Sequence, residues 1–158
     1  MLPLLASLVV ALPHSTADSL DACALYTRDE VAAFAGEEKA KKPRVFSINP
    51  AMHSSCTTET SSGQWTVKVY IERSPDEAGL KLKLDALKKV GGLKPVSGLG
   101  KEAYWGQVSP TNGQFHVIVG TTMVSIQTWG KAEGAGTMDK TRPIADQVIQ
   151  RYKQRYAQ

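Results

Sequence analysis

Trp65-Thr66-Val67-Lys68-Val69-Tyr70-Ile71-Glu72 alternates without a break: Trp65, Val67, Val69 and Ile71 share one side, and Thr66, Lys68, Tyr70 and Glu72 the other. A period of two predicts a strand with one buried and one wetter face. Such a strand belongs to a sheet whose apolar side is covered by other elements. Upstream, 44–48 and 54–60 read as short strands around the Asn49-Pro50 turn. Downstream, 102–108, 114–119 and 123–129 read as three more. Pro110-Thr111-Asn112-Gly113 and Gly120-Thr121-Thr122 separate these three, so an antiparallel meander is expected.

Helices punctuate the strands. In Thr27-Arg28-Asp29-Glu30 the Thr27 hydroxyl can accept the Glu30 N–H while the Glu30 carboxylate reaches back to the Thr27 N–H, a capping box. Tyr26 and Val31 sit at the staple positions, and Gly36 supplies a left-handed stop. Residues 20–25 form a short turn carrying Cys23. Ser74-Pro75-Asp76-Glu77 reads as a second box with Pro at the first helical position; Leu80, Leu84 and Leu87 make the apolar stripe, with Lys81, Lys83, Lys88 and Lys89 mostly off it, and Gly91-Gly92 ends it. A last helix, capped near Asp139, carries Ile144, Val148, Ile149, Tyr152 and Tyr156 at helical spacing. Arg151, Lys153 and Arg155 complement its carbonyl end. The stretch 130–136 reads as a flexible link. The expected class is α+β, an antiparallel sheet of about six strands flanked by helices in the order α-βββ-α-βββ-α, with a faint twofold repeat of elements and no matching residues behind it.

The N-terminal stretch predicts export. Residues 2–12 are an almost unbroken apolar run, followed by small residues up to Ala17, the pattern of a signal peptide over 1–17. The run is too short to span a bilayer, and no Lys or Arg precedes it. The mature chain, 18–158, is the length of one domain with one core. No Cys follows the cleavage site, which argues against a lipid-anchored product. The formal charge of +4 is mild and scattered, and reads as a solvated surface; export also argues against nucleic acid as a partner. Two cysteines, Cys23 and Cys56, are an even count and read first as a disulfide in an exported chain. Closing a loop of that length constrains the unfolded chain by roughly 3–4 kcal/mol.

Several stretches taken together resemble a known group: Asp21-Ala22-Cys23-Ala24-Leu25 followed by the Thr27 box and Val31, Ser55-Cys56 opening a strand, Trp65-Thr66-Val67 in the next, and the run from Val96-Ser97-Gly98-Leu99-Gly100 to Tyr104-Trp105. The group is a broad set of small exported bacterial proteins and lipoproteins, mostly of unknown function, whose fold is similar to that of the photosystem extrinsic protein PsbP. The resemblance implies a sheet flanked by helices and the pairing of Cys23 with Cys56, pinning the N-terminal helical segment to the sheet. It brings no catalytic residues.

Met52, His53 and Cys56 would suit copper or zinc. If Cys56 is oxidised, however, the thiolate is lost and the site is incomplete. No Gly-x-Ser-x-Gly elbow is present, and His116 lies mid-strand, opposite in parity to Phe115, Val117 and Val119, as a structural or solvent-facing histidine. Glu72, Glu102 and Asp139 are the carboxylates that could converge in an envelope enzyme. Ser97-Gly98-Leu99-Gly100-Lys101 lacks phosphate-loop spacing and reads as a tight turn. The aromatics Tyr70, Tyr104, Trp105 and Trp129 are the candidate anchors for a protein or glycan partner. The expected function is a small, exported, non-enzymatic binding or accessory protein of the cell envelope, periplasmic or secreted. It needs no metal or cofactor, and its partner would be another envelope protein, a periplasmic immunity protein's toxin being one specific case. The alternatives are the carboxylate enzyme and a metal carrier.

Overall fold

Residues 19–157 are described by a computed structural model. The signal-peptide assignment falls on 1–17, outside those residues. The quoted stretch forms an interior strand of the sheet, β3, Trp65–Arg73. Two short strands precede it, β1, Arg44–Phe46, and β2, His53–Glu59. Four follow: β4, Lys94–Pro95; β5, Glu102–Ser109; β6, Asn112–Val119; and β7, Thr122–Gly130. All neighbours are antiparallel, in the order β1-β2-β3-β7-β6-β5-β4. The seventh strand, β4, is two residues paired with Trp105 and Tyr104, too short to leave an alternating pattern. Because β3 pairs with β7, the two meanders meet in the middle, and their ends are the sheet edges.

The apolar parity of β3 is continued across the sheet by register. Val69 faces Cys56 and Ile126, and Ile126 faces Phe115, which faces Trp105. This side is sealed by a single 3-10 turn, Ala22–Leu25, by α1, Arg28–Ala35, and by α3, Met138–Tyr156. Val31, Ile144, Val148 and Tyr152 are buried against it. Cys23 and Cys56 are joined, tying the N-terminal turn to β2. The tie is reinforced by Tyr26, whose hydroxyl donates to the Cys56 carbonyl at 3.0 Å and accepts from Thr58 at 3.2 Å. The Thr27 capping box forms as read, with Gly36 left-handed at φ 71°. Glu30 also receives two bonds from the Arg151 guanidinium, so one carboxylate both caps α1 and fastens it to α3.

Three local readings change. The helix α2, Glu77–Gly91, is capped by Asp76 accepting the Gly79 N–H at 2.7 Å, not by Ser74. The Ser74 backbone is held by the Thr121 carbonyl at the end of the sheet and Pro75 lies before the helix. The helix α3 starts at Met138 with Thr137 in the cap position, placing Asp139 in its first turn. The glycine-rich stretch 130–136 is a packed corner rather than a loose link: Ala135 is fully buried, its carbonyl accepts from Thr128, and a Cβ on Gly136 would collide with the backbone of Asn112. At the β1 edge Val45 and Phe46 are exposed, but the strand is three residues long and is preceded by Lys41, Lys42 and Pro43, which discourage further pairing.

Candidate functional site

The second face of the sheet carries the other parity, and it is polar. One row runs Tyr70, Ser125, His116, Tyr104 from β3 through β7 and β6 to β5. The next row toward the open end is Lys68, Gln127, Gln114, and beyond it stands Thr66, Trp129, Asn112. On the other side lies Glu72, Met123, Ile118, Glu102. Alternation dictates this arrangement, since every core residue on the first face has a neighbour on the second.

Among the described residues, α2 is the one helix that covers this face. Leu80 and Leu84 are buried beneath it. Two lysines, placed off the stripe by sequence spacing, bend back to the sheet as clamps. Lys83 pairs with Glu72 and lies 5.9 Å from the Tyr70 ring centre. Lys88 stands 4.3 Å from the Tyr104 ring centre and 3.8 Å from Glu102, which also accepts the Tyr104 hydroxyl at 2.5 Å. Their charges find carboxylates and ring faces on the sheet. Burial lowers the Lys83 pKa from the ordinary lysine value.

Clefts open on both flanks of α2. One, of about 430 Å³, lies toward β5 and β6 between Leu80, Leu84, Lys88, Glu102 and Ile118. The other, of about 230 Å³, lies over the polar rows and is floored by Lys68, Gln114, His116, Ser125 and Gln127, with Tyr70, Lys83, Leu87 and Met123 as walls. His116 is its most constrained member, with only 4% of its surface exposed. Its Nδ1 is 2.9 Å from the Ser125 hydroxyl, while its Nε2 is buried and has no hydrogen-bond partner among the described residues. Burial, with a smaller push from Lys83, moves its pKa down to about 4, so the ring is neutral at neutral pH. A buried imidazole nitrogen without a partner is costly, and its retention is the kind of exception that marks a site.

The aromatic set divides. Tyr70, Tyr104 and Trp129 share the polar face, half-exposed, whereas Trp105 belongs to the core, its ring 4.6 Å from that of Phe115. Trp105 is therefore not a surface anchor; its parity with Ala103 was the signal. The proposed metal set also comes apart. Cys56 is oxidised, and it lies on the core face, three residues and hence opposite in parity from His53. His53 itself stacks on Tyr70, with Nδ1 3.2 Å from that hydroxyl. Among the described residues no three His, Cys, Asp or Glu side chains gather around a common point. The carboxylates do not converge either. Glu72 and Glu102 occupy one row three strand spacings apart, about 14 Å, and Asp139 lies on α3 behind the other face. The turn at Ser97 is structural: Leu99 is buried in the core and Arg142 donates to the Ser97 carbonyl at 3.2 Å.

The architecture is thus an α+β domain whose antiparallel sheet is sealed on one face and left polar and half-covered on the other. No protein-family model matches the chain, and no curated protein matches it. Its fold is similar to that in the crystal structure of the extracellular domain of PknH from Mycobacterium tuberculosis, with a TM-score of 0.50 and 13% identity over 83% of this chain and 94% of that one. At that identity the likeness concerns the fold alone. No helix among the described residues is long and apolar enough to cross a membrane.

Proposed function

We propose that the protein is an exported, non-enzymatic binding or accessory protein of the bacterial cell envelope, periplasmic or secreted, and that its working surface is the polar sheet face beneath α2. The observation that carries this reading is the asymmetry of the two faces. One is closed by α1, α3 and a disulfide. The other presents amide, hydroxyl, imidazole and ammonium groups under a single helix, with the buried Nε2 of His116 left unpartnered. A concave surface with a few convergent polar groups is the default site for a small ligand. The disulfide supports an oxidising compartment, as does the use of a similar fold for an extracellular domain. Kinship with the PsbP-like exported proteins is part of the same proposal.

A thermal-shift screen of small polar compounds tests it, run in parallel on the natural protein and on the double variant Gln114→Ala/Gln127→Ala. Compounds that raise the melting temperature of the natural protein and not of the variant are expected. Compounds that stabilise both equally would place binding elsewhere on the molecule.

A further inference from the structure

The cleft's chemistry narrows the ligand. Of its charged lining groups, Lys68 and Lys83 are ammonium ions and none is a carboxylate. Lys83 is answered by Glu72 from the adjoining row, while Lys68 forms no ion pair among the described residues. The remaining polar groups are hydroxyl, carboxamide and imidazole. Gln127 donates one amide hydrogen to Asn112 at 2.9 Å, which fixes its orientation. His116 completes the set. If the Ser125 hydroxyl donates to Nδ1, the neutral ring carries its proton on Nε2, and that N–H is the unpartnered group. In that tautomer the floor offers a lone ammonium ion and an unpartnered N–H, and an oxyanion satisfies both. The walls ask for something different: Met123, Leu87 and the ring of Tyr70 offer apolar contact.

We infer that the cleft between α2 and the β3-β7-β6 floor binds a small organic anion, with a carboxylate or phosphate head held by Lys68 and the Nε2 of His116 and a short apolar body against Met123, Leu87 and Tyr70. This rests on the reading of the polar face as the binding surface. Nε2 is buried, and Lys83 and Leu87 are the walls that α2 contributes. Ligand entry therefore shifts α2 side chains, and the Lys83–Glu72 clamp is the contact to yield. The charged and titratable groups around the imidazole are Lys83 from α2, Lys68, Tyr70 and Glu72 from β3, Tyr104 from β5 with the Glu102 and Lys88 that hold it, and, through Tyr70, His53 from β2.

The test is an NMR titration of the purified, isotope-labelled protein with three probes of equal body and different head: hexanoate, hexyl phosphate and hexanol. Saturable shifts of the His116 ring nitrogens and the Gln114 side-chain amide are expected with at least one of the two anions. Which anion binds distinguishes a carboxylate from a phosphate head. Hexanol should bind at least tenfold more weakly. Lys68→Met, which keeps the stem, should weaken the anion at least tenfold and leave hexanol unchanged, and Lys68→Arg should restore most of the loss. Equal binding of hexanol, or no effect of Lys68→Met in a protein whose spectrum is otherwise preserved, would overturn the anion assignment while leaving the cleft as the binding site. Absence of any saturable shift around His116 with all three probes would overturn both.

Discussion

His116 and Glu30 show how much single side chains decide in this molecule. His116 is a base whose folded pKa lies near 4, below the ordinary value of 6.5. The unfolded chain therefore binds more protons between those limits, and stability is complete above about pH 6.5 and falls as the pH drops toward 4. The loss amounts to about 3 kcal/mol in total. Urea unfolding at pH 7 and about pH 4.5 checks this, and His116→Gln should flatten that part of the profile. Glu30 has the same sign for a different reason. Arg151 holds its carboxyl below the ordinary range, with the Thr27 N–H contributing. The stabilisation is present above the unfolded carboxylate pKa and disappears as the pH falls through the lower folded value. Glu30→Gln should cost about 1–2 kcal/mol at pH 7 through the cap and the α1–α3 tie, and the gap from the natural protein should close in acid. At this scale the sequence was partly legible. The parity of His116 placed it on the polar face, and the Thr27-x-x-Glu30 spacing announced the cap. Its burial beneath α2 and the reach of Arg151 across 121 positions to Glu30 depend on tertiary placement that no local pattern encodes.

Among the elements, β3 and α2 stand at opposite ends of the stability range. β3 is paired along its whole length to β7 and from Thr66 to Glu72 to β2. α2 is held by Leu80, Leu84 and two lysine clamps, and its surroundings are clefts. Elements with few buried apolar contacts open locally at low free energy. Hydrogen exchange should therefore be faster across α2 than across β3 and β7. Glu72→Gln and Leu84→Ala should each accelerate α2 exchange several-fold without altering β3, and the effect of the first should mimic added salt, which screens the clamps. Protection of α2 equal to that of β3 would mean that the helix is part of the core. The same contrast explains what could be read beforehand. Alternation makes β3, β5, β6 and β7 legible. The two-residue β4 leaves no pattern, and Ser74-Pro75 fits the capping motif two residues ahead of Asp76, the residue that caps. Sequence spacing puts Lys83 and Lys88 off the apolar stripe, and their flexible stems let them fold back to the sheet.

For the whole molecule, the disulfide and the two-faced sheet organise everything else. Cys23 and Cys56 are 33 positions apart, so removing the bond as Cys23→Ala/Cys56→Ala should cost about 3–4 kcal/mol in a chain-entropy picture. The loss should appear as an equal fall in denaturation free energy by fluorescence and by circular dichroism if the domain remains cooperative. The cleft, by contrast, should survive in shape, because its floor belongs to β3, β6 and β7 and the staple lies on the other face. The measurement that bears most directly on the central claim is a native mass spectrum of the protein isolated gently from the exported fraction, beside the Lys68→Met/Gln114→Ala variant prepared identically. A small-molecule adduct on the natural protein, absent from the variant and lost on denaturation, is the expected result. An adduct of the same abundance on both proteins, or none on either, would contradict binding on the polar face beneath α2.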